Sequence, residues 1–235
     1  MKKDDLTSKY EKILKKRIIE GYYQIGESIP PLRNLSEELD CSRSVINVVA
    51  AKLSTQGYLS IQRRQKTVVN DFLTKGSLGI IRDIFFSNNK ELKQQISKNL
   101  LDARKLIEVE SVKLACFISN EEELMTLEDI INTEEDLIKD GVINFKVISE
   151  NDFKFHNQII KMSHNVLYVL IMNSIKDIAL EMTEFFYKTE NSFYQKYVSS
   201  HRKILEAIKN QDVNTASTVL KEILEHGEIL FIKLV

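Results

Sequence analysis

After Pro31 the chain runs for 204 residues without another proline, and beyond Gly79 it holds only two further glycines, Gly141 and Gly227. Proline and glycine are the strongest local punctuation, and folds made of many short strands need turn signals at short, regular spacing. A β-sandwich or barrel is therefore excluded for most of the sequence, and long helices remain. The chain is 43% hydrophobic, with 33 Lys+Arg against 34 Asp+Glu. That composition can bury a core and lacks the high net charge of a disordered chain.

The balanced total hides an asymmetry. Residues 1–72 carry 13 basic and 9 acidic side chains, and residues 73–235 carry 20 and 25. Both prolines fall in the first part, and all four histidines fall in the second. Thr74, Gly76, Ser77 and Gly79 interrupt the pattern between them. This predicts one domain over 1–72, a linker over 73–78 and a second domain over 79–235.

In the first part, Tyr10, Ile13, Leu14 and Ile18 recur on one helical face. Pro30-Pro31 then opens a short helix that keeps Leu32, Leu35 and Leu39 inward. Asp40-Cys41 turns the chain, and Ser42 is placed to cap a third helix carrying Val45, Ile46, Val49 and Leu53. Residues 59–61 and 67–69 read as strands around the basic stretch Arg63-Arg64-Gln65-Lys66. The second part reads as helices over about 78–86, 91–118, 121–138, 150–163, 166–188, 191–209 and 213–233, with only 141–145 ambiguous. The expected fold is mainly α, an N-terminal winged helix-turn-helix followed by an antiparallel bundle of about seven helices.

Cys41 and Cys116 are far apart, which excludes a disulfide framework or a four-cysteine metal site and predicts a cytoplasmic location. No run of about 18 apolar residues occurs, and no apolar stretch follows the charged N-terminus. Neither a membrane span nor secretion is expected.

A helix that enters the DNA major groove needs short or forked donors on its first turn. Ser42, Arg43, Ser44 and Asn47 stand there, opposite the apolar face. Arg33 opens the preceding helix, within reach of a phosphate, and Arg63, Arg64 and Lys66 have no local acid. A basic hairpin alone is equally a solvated surface.

The string from Gly26 to Val45 resolves this. It includes Pro30-Pro31-Leu32-Arg33-Asn34-Leu35 and Ser42-Arg43-Ser44-Val45, and Gly57-Tyr58-Leu59 and the wing follow it. It resembles the N-terminal domain of the GntR family of bacterial transcription factors. The wing, Asp102–Glu108 and Ser163–Tyr168 are similar to the FadR subfamily. The resemblance implies that Arg33 and Arg43 contact an operator, with the wing in or beside the minor groove. Asn47 stands where many members have a second arginine, and asparagine reads adenine better than guanine.

Asp152 and His156 are four apart on one predicted helix, so both point the same way and can share a divalent ion, with His201 as a third ligand. The alternative is an ordinary helix-surface pair. The resemblance implies a divalent metal, Zn or Ni, on an Asp-x-x-x-His pair and two later histidines. Asp152, His156 and His201 match three positions, the fourth falls on Ile223, and His226 lies three residues on as its substitute. Members that bind acyl-coenzyme A lack the metal. Arg104 is either the partner of an effector carboxylate or one half of an ion pair with Glu108.

Phe85-Phe86 and Phe185-Phe186-Tyr187 read as core or interface aromatics, His164 as part of a helix turn and Cys41 as packed. No phosphate loop, nucleophile elbow or HExxH occurs, so no enzyme is expected. The expected function is a homodimeric regulator that binds double-stranded DNA at an inverted repeat and responds to a small effector. The alternatives are a metal-dependent enzyme using Asp152, His156 and His201, and a DNA-binding dimer without an effector.

Overall fold

The computed structural model describes residues 3–61, 65–141 and 144–234, in two compact units, Met1–Ile96 and Ser97–Val235. Both units are mainly helical, as expected.

In the first unit, α1 (Lys3–Ile19) and α2 (Leu32–Glu38) pack on α3 (Arg43–Thr55). Tyr10, Leu14 and Ile18 of α1 meet Leu35 of α2 and Val45, Ile46, Val49 and Leu53 of α3 in one core. Burying each of the larger aliphatic side chains stabilises the unit by about 1.5–3 kcal/mol. Ser42 caps α3 by accepting from the Val45 amide, and Asp40 takes a positive φ of 49° in the turn before it.

Strands β1 (Leu59–Ser60) and β2 (Val68–Val69) pair antiparallel, Leu59 opposite Val69. The sequence did not reveal a third segment on this wing. The Gly26 amide donates to the Val69 carbonyl at 2.8 Å, the Val69 amide to Glu27 at 2.9 Å, and Ser28 bridges Val68. Gly57 joins α3 to β1 with φ at 91°, and a Cβ there would lie 2.4 Å from the Lys75 carbonyl oxygen. Only glycine fits on both counts.

The expected linker spans residues 73–78. That stretch contains most of a short helix, α4 (Phe72–Lys75), whose Phe72 packs against Tyr58. Ile80 and Ile84 of α5 (Gly79–Phe85) are buried in the same core as α1, and Leu92 and Ile96 of α6 (Lys90–Ile118) pack against it. The Tyr58 hydroxyl donates to Asp83 at 2.8 Å, and Lys15 pairs with the same carboxylate at 2.9 Å. The compact unit thus extends to Ile96.

The second unit comprises α6 from Ser97 on, α7 (Glu121–Lys139), α8 (Phe145–Met162), α9 (Val166–Ser174), α10 (Lys176–Thr189), α11 (Tyr194–Lys209) and α12 (Val213–Leu234). Among the described residues these are seven α-helices, by a different division from the expected one, since 78–86 joins the first unit and 166–188 breaks at Ile175. Asn120, Asn144 and Asn165 cap α7, α8 and α9, and Asn120 forms a capping box with Glu123. In the ambiguous stretch, Val142 and Ile143 lie outside the described residues, and α8 starts at Phe145. Helix α8 packs on α7 and α10, and α11 on α7 and α12, around Leu127, Ile131, Phe155, Ile159, Ile204 and Leu220. Among the described residues, no helix is long and apolar enough to cross a membrane.

Candidate functional sites

The apolar face of α3 is fully committed to the core, which leaves its first turn in solvent. Ser42, Arg43, Ser44 and Asn47 are all exposed, while Val45, Ile46 and Val49 are buried. Arg43 and Asn47 are four apart, so their side chains lie on one face about one helical turn apart. No acid pairs with Arg43 among the described residues, whereas Arg33 forms an ion pair with Glu37 at 3.2 Å, both well exposed. Ser44 shares a 2.9 Å hydroxyl hydrogen bond with Ser42. Lys66 is exposed, and Arg63 and Arg64 lie outside the described residues.

In the second unit, Asp152 and His156 of α8 and His201 of α11 are all buried, with one potential ligand atom from each within 4.8 Å of the others. A carboxylate orients each histidine. Glu108 on α6 lies 2.5 Å from His156 Nδ1, and Glu134 on α7 lies 2.9 Å from His201 Nδ1. The other nitrogen of His156, Nε2, faces Asp152 at 3.7 Å, and His201 Nε2 is buried without a hydrogen-bond partner. The Tyr187 hydroxyl donates to Asp152 Oδ1 at 2.8 Å, and Phe155 stacks on the His201 ring at 3.6 Å.

Arg104 forms the ion pair with Glu108 and also faces a cavity. Its Nε donates to Glu108 at 2.7 Å within one turn of α6, and its side chain also lines a cavity of about 70 Å³ together with Asp152 and His156. Burial alone would raise the Glu108 carboxyl, but Arg104 and His156 outweigh it and hold it at about 2. Burial opposes charge on His156 as well, yet Glu108 and Asp152 raise its pKa above the usual value. Burial raises the Tyr187 hydroxyl well above its normal range, and Asp152 adds to that shift.

The structure does not bring His226 into this cluster. It lies against Tyr197, 2.5 Å from the hydroxyl, and beside Phe193. Burial lowers its pKa, and Lys196 adds to that. Ile223, one turn earlier on α12, forms part of the cavity wall instead.

Glu134 was not singled out from the sequence, and Tyr187 was read there only as a core or interface aromatic, not as part of the site. Leu127, Ile131 and Glu134 share one stripe of α7, so an acid on an apolar face was the available signal for Glu134. Phe186 and Tyr187 are core aromatics, as expected, and also line the cavity.

Residues 6–69 match the family of bacterial regulatory proteins named gntR, and residues 99–226 match the FCD domain. The Uxu operon regulator of Haemophilus influenzae is 20% identical, over 94% of this chain and 80% of its own. A fatty acid metabolism regulator protein of Shewanella pealeana is 25% identical, over 76% of this chain and 71% of its own. Among solved structures, Lar of Listeria monocytogenes superposes with a TM-score of 0.63 at 16% identity, covering 97% of each chain. McbR/YncC of E. coli gives 0.52 at 18% identity, over 97% and 98%. The chain belongs to the GntR family of bacterial regulatory proteins, as a FadR-type member with an FCD domain, and is a DNA-binding transcription regulator with a ligand-binding effector domain.

Proposed function

We propose that the protein is a cytoplasmic homodimer whose two heads bind an inverted-repeat operator. In this reading a divalent ion, Zn or Ni, on Asp152, His156 and His201 anchors a small acidic effector beside Arg104. The observation that carries the effector site is the arrangement of the two histidines. Each imidazole has Nδ1 beside a buried carboxylate, and the Nε2 of His201 has no hydrogen-bond partner among the described residues. An imidazole that donates from Nδ1 presents its Nε2 lone pair, the tautomer a metal requires.

Charge supports the same reading. Glu108, Glu134 and Asp152 are all buried, and the guanidinium of Arg104 faces Glu108 and Asp152. With both imidazoles neutral, two negative charges are uncompensated, and one divalent ion cancels them. When bound, the ion supplies a Lewis-acid anchor for an effector oxygen. Glu108 and Glu134 fix the two rings, Tyr187 fixes Asp152, and Arg104 offers the effector a fixed cation. Ile223 leaves the ion with three protein ligands and open positions for the effector.

On the DNA side, Arg43 and Asn47 present a guanidinium and a carboxamide to adjacent bases, with Ser42, Ser44, Arg33, Lys66, Arg63 and Arg64 on phosphates or the wing. A second copy is favoured by α9, where Val166, Leu167 and Leu170 are 70%, 61% and 60% exposed. A two-fold axis along that helix buries each copy's aliphatic stripe on the other's.

Binding without turnover is favoured by Glu108, whose carboxylate is committed to Arg104 and His156 and is a poor general base. The relatives' names divide between fatty acid metabolism and the Uxu operon, so the effector class has to be read from this chain's own cavity. Elemental analysis of purified protein, with operator binding measured before and after chelation, tests the proposal. Absence of metal after purification, together with no thermal stabilisation by added Zn or Ni, would overturn the effector site.

A further inference from the structure

We infer that the N-terminal unit carries a second ligand site, a cleft between α1 and α5 that takes a nucleoside phosphate, with its phosphates on lysines and its base on Phe86. The cleft shares no residue with the cavity beside Arg104. Three observations carry the inference.

The first is charge. Lys12, Lys15, Lys16 and Arg82 line the cleft, and Asp83 stands among them. That acid is already held, by Lys15 at 2.9 Å and by the Tyr58 hydroxyl at 2.8 Å. Glu11 is taken up by Lys15 at 3.1 Å and by Gln56 at 3.0 Å, and Glu20 accepts from the Asn88 amide at 3.0 Å. Lys12 and Lys16 are exposed one turn apart on α1, the spacing at which two ammonium groups reach one phosphate. Phosphate oxygens accept charge-assisted hydrogen bonds from such groups.

The second is an aromatic surface beside that charge. Of the pair Phe85-Phe86, Phe85 is buried and Phe86 is half-exposed on the wall of the cleft. Phe85 meets the Phe86 ring edge-on at 5.1 Å, and the Arg82 guanidinium lies over it at 5.3 Å. An exposed ring next to a guanidinium is a platform for a flat heterocycle, and stacking of a base on such a ring is tolerant of which base it is.

The third is place. Gln56, which bonds Glu11, is the C-terminal cap of α3, and Tyr58, which bonds Asp83, follows two residues later. The cleft therefore adjoins the far end of α3 from Arg43, and the 13 residues of that helix span about 20 Å. A duplex seated on Arg43 lies a helix length away, which favours a free nucleotide over operator backbone as the occupant.

The test uses full-length protein in EDTA, so that no phosphate rides on a metal, and isothermal titration at fixed low salt. ADP, pyrophosphate and adenosine are the probes. ADP is expected to bind about tenfold tighter than pyrophosphate, the stacking contribution, and adenosine not at all. Phe86→Ala is expected to bring ADP to the pyrophosphate level. Lys12→Gln with Lys16→Gln is expected to weaken both at least tenfold while operator affinity stays that of the wild type. All three side chains are exposed, so the fold persists, and the wild-type series decides without the variants should one fail. Absence of ADP binding at millimolar concentration, or equal binding of ADP and pyrophosphate, overturns the inference. Loss of ADP binding in Arg43→Ala, or of operator affinity in the lysine variant, overturns it in favour of the DNA-binding surface.

Discussion

Glu134 Oε2 lies 2.9 Å from His201 Nδ1, with both side chains closed off from solvent. A buried carboxylate that fixes an imidazole's tautomer and orientation raises the affinity of the opposite nitrogen for a metal. Removing such a partner typically weakens binding 10- to 100-fold. Glu134→Gln is expected to weaken Zn²⁺ binding within that range in a competition with a fluorescent chelator, while the fold, followed by circular dichroism, persists. Unchanged Zn²⁺ affinity would separate Glu134 from the metal.

The Glu108 carboxyl is held at about 2, against an ordinary value of 4.5. A depressed carboxyl contributes stability that is complete above the unfolded value and is lost as pH falls through the folded one. Its window is therefore pH 4.5 down to about 2, and the shift corresponds to about 3 kcal/mol. His156 has the opposite sign in metal-free protein. Its pKa is raised above 6.5, so its stabilisation is complete below 6.5 and is lost as pH rises through the raised value. Urea unfolding of metal-free Glu108→Gln from pH 2 to 8 is expected to show a flattened acid limb and a lower plateau near neutrality.

Arg43 is exposed at the start of α3 and pairs with no acid among the described residues, so replacing it leaves the fold intact. A lost guanidinium contact to a base edge costs about 1–3 kcal/mol of discrimination. Arg43→Ala is expected to bring operator affinity close to that for random DNA of equal length, measured by fluorescence anisotropy at fixed salt. Its Tm should stay within about 2 °C of the wild type. Arg33→Ala should have a smaller effect, since Arg33 is already engaged with Glu37.

Gly57 combines a φ of 91° with a backbone oxygen 2.4 Å from where a Cβ would stand. Neither strain is relieved by rotating a side chain. Gly57→Ala is expected to destabilise the N-terminal unit by more than about 2 kcal/mol, seen as an earlier unfolding step and loss of operator binding. Wild-type stability in that variant would contradict the close approach to Lys75.

Leu170 sits in the middle of the exposed stripe of α9. Leu170→Glu places a charge on each side of a two-fold contact, where the two copies repel and neither is solvated. Light scattering is expected to show the monomer mass at concentrations where the wild type is dimeric. A dimeric variant would move the interface elsewhere.

The parts of this fold legible in the sequence are those where one residue type has a single local use. The stripe Tyr10, Leu14 and Ile18, the cap at Ser42 and the exposed turn of α3 were all readable from spacing and chemistry. Asp152, His156 and His201 were brought together as expected, because two share one helical face and the third follows from the family resemblance. Other features depend on partners that spacing does not identify. The helix over 78–86 was visible, but not that Ile80 and Ile84 would join the core of α1. The break at Ile175 has neither proline nor glycine, and that residue is buried between α9 and α10. Glu134 shares an apolar stripe of α7, but the packing of α7 against α11 is what brings it to His201.

The bridge from Ser28 to Val68, with the hydrogen bonds between Gly26 or Glu27 and Val69, stitches the root of the wing to the chain entering α2. The hairpin base and the helix-turn-helix are therefore laced together and travel as one body. A duplex that is out of register for one is out of register for both.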